Sequence, residues 1–204
     1  MGQIELDSIF GKYLLELGKD SRFSTYLDVG TWSGQGTTLC LYLGMKDRQE
    51  AHLFSLEINQ QMYEVACKFY DPRPPNLTLI RAKLGDQIMS VYEIISHPEY
   101  DAVNSHFQMY YTQDVIDMCY CPSVGNLPDI DVIVLDGGEF CGEGDMKEAL
   151  KLNPKVIALD DIKSMKNDKN HKWLSENPEW KMLACGSDRS GWSIFERVKI
   201  PEKN

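Results

Sequence analysis

No stretch of this chain stays apolar for the ~18 residues that a membrane-spanning helix requires, so no membrane-embedded segment is expected. Positive charge is scarce. There are 21 Lys and Arg against 31 Asp and Glu, for a net charge of −10. Binding along a nucleic-acid backbone calls for a basic face, and the balance argues against it. The opening residues Met1-Gly2-Gln3-Ile4-Glu5 have neither the basic nor the apolar region of an export signal. Internal repeats and low-complexity tracts are absent. The six cysteines are scattered, and Cys119 and Cys121 have no second pair at zinc-site spacing. They read as reduced thiols, several of them in the core of a cytoplasmic protein.

What is present is an ordinary globular composition, 43% hydrophobic and 25% charged over 204 residues, which suits one domain over 1–204. Apolar runs bounded by turn residues alternate with helical patterns, as in a parallel α/β sheet. Strands are expected at 25–30, 52–56, 77–82, 131–135 and 156–159, with a closing antiparallel hairpin at 180–185 and 192–198. Helices are expected at 6–17, 35–43, 60–69, 87–95, 143–151 and 170–176. The segment 97–128 is longer than a normal connection. It reads as an inserted cap or lid with a helix near 106–119.

The richest segment is Tyr26-Leu27-Asp28-Val29-Gly30-Thr31-Trp32-Ser33-Gly34-Gln35-Gly36-Thr37. A strand ends near an acid, a glycine-rich turn follows, and a helix begins. Such a turn lets backbone approach a ligand and aims helix N–H groups at it. Four strands end in acids, at Asp28, Glu57, Asp136 and Asp160, where open α/β sheets bind their ligands. Glu57 lies 21 residues after Gly36, near the ~20-residue offset at which a carboxylate accepts both ribose hydroxyls. The glycines do not follow strict dinucleotide spacing, and an acid two residues before Gly30 would repel a pyrophosphate. A ligand with an amine, a sulfonium and no phosphate, such as S-adenosylmethionine, suits it better.

Together with Leu56-Glu57, Gly85-Asp86, Asp136-Gly137-Gly138 and Asp160-Asp161, this run resembles the class I S-adenosylmethionine-dependent methyltransferases. It is most similar to the small metal-dependent O-methyltransferases of catechol, caffeoyl-coenzyme A and macrolide-sugar types. The resemblance spans about residues 14–197. It implies an α/β, Rossmann-like methyltransferase fold: a seven-stranded, mostly parallel sheet with an antiparallel C-terminal hairpin strand and helices on both faces. Asp28 would then approach the methionine amine. Gly30, Thr31, Gly34 and Gly36 would form the loop under the methionine part. Glu57 would hold the ribose, Ile58 would pack on the adenine, and Asp86 would sit near it.

In the same resemblance Asp136 touches the cofactor and, with Asp160 and Asp161, holds Mg²⁺. Hard oxygen ligands suit that ion, which would lower the pKa of a bound hydroxyl and orient it. The implied catalytic residues are Asp136, Glu139 and Asp160. Glu139 departs from the pattern, because relatives often carry Lys or His three positions after the strand-four acid. It reads as a general base with a raised pKa, a further metal ligand, or a solvated acid. His106 is a second candidate base. Tyr110, Tyr111 and Trp192 are candidates for an acceptor wall, and Lys163 and Lys166 read as surface charge ahead of a contact for an anionic substrate. The expected activity is metal-assisted O-methylation of a small molecule. A metal-independent N- or O-methyltransferase, a non-catalytic S-adenosylmethionine-binding protein and an NAD-binding domain stay open as alternatives. A homodimer through the first helix or the inserted segment is also allowed.

Overall fold

A computed structural model describes residues 4–198, apart from the side chains of 101–107. Its strands are β1 (Thr25–Val29), β2 (His52–Leu56), β3 (Leu77–Ile80), β4 (Val132–Leu135), β5 (Val156–Asp160), β6 (Trp180–Gly186) and β7 (Trp192–Arg197). They form one sheet in the order β3-β2-β1-β4-β5-β7-β6. β3, β2, β1, β4 and β5 run parallel, while β7 is antiparallel to both β5 and β6. The order reverses between β1 and β4, which opens the ligand crevice of such sheets at the ends of those strands.

The central strands are buried on both faces, so they read as apolar runs with alternating destinations. Tyr26, Val132, Val134, Val156 and Ala158 enter one core with Phe10, Leu14 and Leu41. Leu27, Val29, Ile133, Leu135, Ile157 and Leu159 enter the other with Met146, Ala149 and Leu174. The first core lies under α1 (Ile9–Lys19) and α2 (Thr37–Met45). The second lies under α6 (Gly142–Lys151) and α7 (Asp168–Glu176). α3 (Gln60–Phe69) follows β2, and no described helix is long and apolar enough to cross a membrane.

Five helices lie within three residues of their expected limits, and two depart further. α4 spans Val91–Ile95, shorter than 87–95. Ser90 and Glu93 close a capping box at its start, and just upstream the Met89 N–H is bonded to the Phe140 carbonyl. α5 spans Tyr100–Tyr120, longer than 106–119, and fills most of the segment read as a cap. His106 lies on α5, but its side chain is outside the described residues.

Candidate functional site

The carboxyl ends of β1, β2 and β4 open onto a cavity of about 510 Å³, within the usual range for small-molecule sites. α5 closes one side. Met109, Tyr110, Gln113, Asp114, Asp117 and Met118 line the cavity, and their spacing puts them on one helical face. Two acids tie this helix to the strand-end loops. Asp117 Oδ2 accepts from Asn59 Nδ2 at 3.0 Å, and Asp114 Oδ2 accepts from the Phe140 N–H at 3.1 Å. Tyr111 packs edge-on to Phe140.

Gly30, Thr31, Gly36, Glu57, Ile58, Asp136, Glu139 and Asp161 all reach the cavity wall. Gly30 has φ +103°, and a Cβ there would strike the Asp136 carbonyl, so glycine is required where β1 and β4 end side by side. Thr31 is buried, with its Oγ1 2.5 Å from Ser55 Oγ. Glu57, just beyond β2, is 5% exposed. Its Oε1 accepts the Asn59 N–H at 2.8 Å and its Oε2 accepts the Trp32 N–H at 2.5 Å. Each oxygen keeps acceptor capacity for a hydroxyl in the cavity. Burial pushes Glu57 up to about 7, against the pull of those two amides.

Three residues expected to touch the cofactor do not line the cavity. Asp28 is fully buried and off the cavity wall. It shares a strand face with Tyr26, which turns it toward α2, where it accepts from Thr38 Oγ1 at 2.5 Å and Thr37 Oγ1 at 3.0 Å. Burial pushes it up to about 7. Gly34 is also off the wall. It has φ +82° and packs on Tyr70, whose hydroxyl donates to the Gly34 carbonyl at 2.7 Å. Asp86 faces solvent and pairs with Lys83 at 2.9 Å and Ser123 at 3.2 Å. The acid that reaches the cavity near there is Asp145 of α6, whose Oδ1 accepts the Gly85 N–H at 3.0 Å. Trp192 is corrected too, because it stacks on Phe10 in the core.

Asp136, Asp160 and Asp161 do converge, each offering a carboxylate oxygen within 4.8 Å of the others. Asp161 has φ +55°, and the turns after it fold the chain back over the strand ends. Asn167 fixes that return. Its Nδ2 donates to the Leu135 carbonyl at 3.1 Å and the Asp160 carbonyl at 2.8 Å, joining β4 to β5.

The return also delivers Lys166, which is not a surface charge. Its side chain is 7% exposed, and Nζ lies 2.6 Å from Asp136 Oδ1 and 3.1 Å from Asp161 Oδ2. Burial alone would lower its pKa, but the charges of Asp136, Asp161 and Asp160 outweigh that and hold it above the ordinary lysine value. Asp160 is off the cavity wall. Its Oδ2 has no hydrogen-bond partner, and Arg189 Nη2 is 3.9 Å away.

The donor chemistry of the three acids suits Mg²⁺, and a lysine competes with that ion for two of them. Asp136 and Asp161 already direct one oxygen each to the ammonium. A divalent ion about 4 Å from that ammonium would meet a repulsion of about 8 kcal/mol at an effective dielectric of about 20, which offsets part of its attraction to the carboxylates. Glu139 lines the cavity nearby. Burial raises its pKa, and the Lys166 charge opposes the rise.

The fold is shared with solved methyltransferase structures. An O-methyltransferase of Bacillus cereus in complex with SAH matches with a TM-score of 0.62 and 16% identity, over 96% of this chain and 83% of that one. A methyltransferase of Podospora anserina bound to SAH gives 0.59 and 15%, over 93% and 78%. The O-methyltransferase TomG of Streptomyces achromogenes, in complex with SAM, gives 0.59 and 13%, over 93% and 80%. No family model matches the sequence, and no curated protein matches it. The chain has the class I methyltransferase fold.

Proposed function

We propose that the protein is an S-adenosylmethionine-dependent methyltransferase that acts on a hydroxyl group of a small molecule. The observation that carries this reading is Glu57, a buried carboxylate pinned by two backbone amides on the wall of a strand-end cavity. It is suited to accept the two hydroxyls of a ribose. Gly30 and Gly36 leave room beside it for the amino-acid part of the cofactor, and Ile58 offers an apolar surface to the adenine.

When bound, S-adenosylmethionine supplies a methyl group on a positively charged sulfur, and the C–S bond breaks as a bond to the acceptor oxygen forms. The chain's part is to align the two reactants and exclude water. α5 limits the cavity to a small acceptor. Glu139 is the carboxylate proposed to take the acceptor's proton. Metal assistance through Asp136, Asp160 and Asp161 is supported by their convergence and opposed by Lys166 between them. Six free cysteines fit a cytoplasmic setting.

The test is to incubate the protein with methyl-labelled S-adenosylmethionine and a panel of small alcohols, phenols, sugars and amines, reading S-adenosylhomocysteine by mass spectrometry. Product that depends on a hydroxyl acceptor is expected. Cofactor binding with no turnover on any acceptor would contradict the proposed enzyme and favour a binding protein.

A further inference from the structure

We infer that the Lys166 ammonium, and no divalent ion, is the cation of the Asp136–Asp160–Asp161 cluster, and that it holds the acceptor oxygen during methyl transfer. The second half rests on the methyltransferase reading, while the first stands on geometry alone. Three carboxylates brought within 4.8 Å of one another repel unless a cation or a proton stands among them. The chain supplies one of its own, bonded to Asp136 at 2.6 Å and to Asp161 at 3.1 Å.

The lysine is built into this place. Asp161 turns with positive φ, and Asn167, the next residue after Lys166, is bonded to the backbone ends of β4 and β5. The Lys166 carbonyl lies against Gly142 so closely that a Cβ there would collide with it. The backbone carrying the ammonium is therefore fixed from both sides.

An ammonium has three N–H donors. Two are directed at Asp136 and Asp161, and Lys166 also lines the cavity. The third is left for an oxygen bound there. A positive charge at that oxygen favours its deprotonated form, which is the nucleophile that methyl transfer requires. The proton passes to the Glu139 carboxylate, the O–C bond forms, the C–S bond breaks, and neutral S-adenosylhomocysteine leaves. No metal ion enters the balance.

The experiment titrates the intact chain with MnCl₂, reading bound Mn²⁺ by electron paramagnetic resonance, and repeats it with Lys166→Ala and Lys166→Arg. The wild type and Lys166→Arg are expected to show no saturable binding up to about 1 mM. Lys166→Ala is expected to gain a site at least about tenfold tighter, as three hard oxygen donors lose their cation. Saturable wild-type binding that Asp161→Asn removes would overturn the inference, as would a folded Lys166→Ala with no gain. Should Lys166→Ala not fold, the wild-type titration decides alone. Turnover, once found, is expected to survive EDTA, and its loss would also overturn the inference. Failure to bind S-adenosylmethionine would sink the methyltransferase reading but leave the Mn²⁺ comparison intact.

Discussion

Glu57 and Trp32 join the loops after β2 and β1, with the carboxylate Oε2 accepting the Trp32 N–H at 2.5 Å. This bond, with that from Asn59, orients the acid proposed to hold the ribose. Because burial pushes Glu57 up to about 7, its charge changes near neutral pH. The ionised form is the one that accepts from two hydroxyls. S-adenosylmethionine affinity is therefore expected to fall about tenfold from pH 8 to pH 6, following the ionised fraction. Glu57→Gln is expected to bind weakly with little pH dependence. Equilibrium dialysis across that range checks both.

Asp28 is expected to govern stability rather than cofactor binding. Its folded pKa, pushed up to about 7 by burial, lies above its ordinary value of 3.8. The folded chain thus holds a proton that the unfolded chain has released. The associated stability is full below about pH 4 and is lost as pH rises through about 7. Urea unfolding of Asp28→Asn is expected to lack this slope, which reaches about 1.4 kcal/mol per pH unit in the wild type. Identical slopes in the two proteins would contradict the assignment.

Asn167→Ala is expected to cost about 2–4 kcal/mol of stability, because the buried Leu135 and Asp160 carbonyls both lose a donor. Denaturant titration measures the loss. The same variant loosens the backbone next to Lys166, so it is also expected to slow turnover.

Asp117→Ala removes the carboxylate that accepts from Asn59 and Gln113. Faster amide exchange along α5 and weaker cofactor binding, by about 3–10-fold, are expected if the lost bond to Asn59 is worth about 1 kcal/mol. Unchanged exchange along α5 would show that other contacts hold the helix.

The parallel sheet and the hairpin were legible because strand burial on both faces leaves plain apolar runs, and turn residues punctuate them. Gly30, Thr31, Gly36, Glu57 and Ile58 reach the cavity because those positions follow directly from where a strand stops. Asp28 escaped because its facing is set by the pleat, which turns it under α2 with Tyr26. Gly34 escaped because its positive φ serves packing on Tyr70. Asp145, and not Asp86, reaches the cavity because α6, distant in sequence, brings its acid to the Gly85 amide. Lys166, read as surface charge, departs furthest from its expected place. Nothing in the local pattern 160–167 marks it, since its burial depends on the positive-φ turn at Asp161 and on Asn167 reaching across two strands.

The most direct test of the account is calorimetric titration of the wild type and Glu57→Ala with S-adenosylmethionine at pH 8. Saturable one-site binding by the wild type, weakened at least about tenfold in the variant, is the predicted result; losing a hydrogen bond to a charged group costs about 1.5–3 kcal/mol. No binding by the folded wild type, or equal binding by both proteins, would contradict the account.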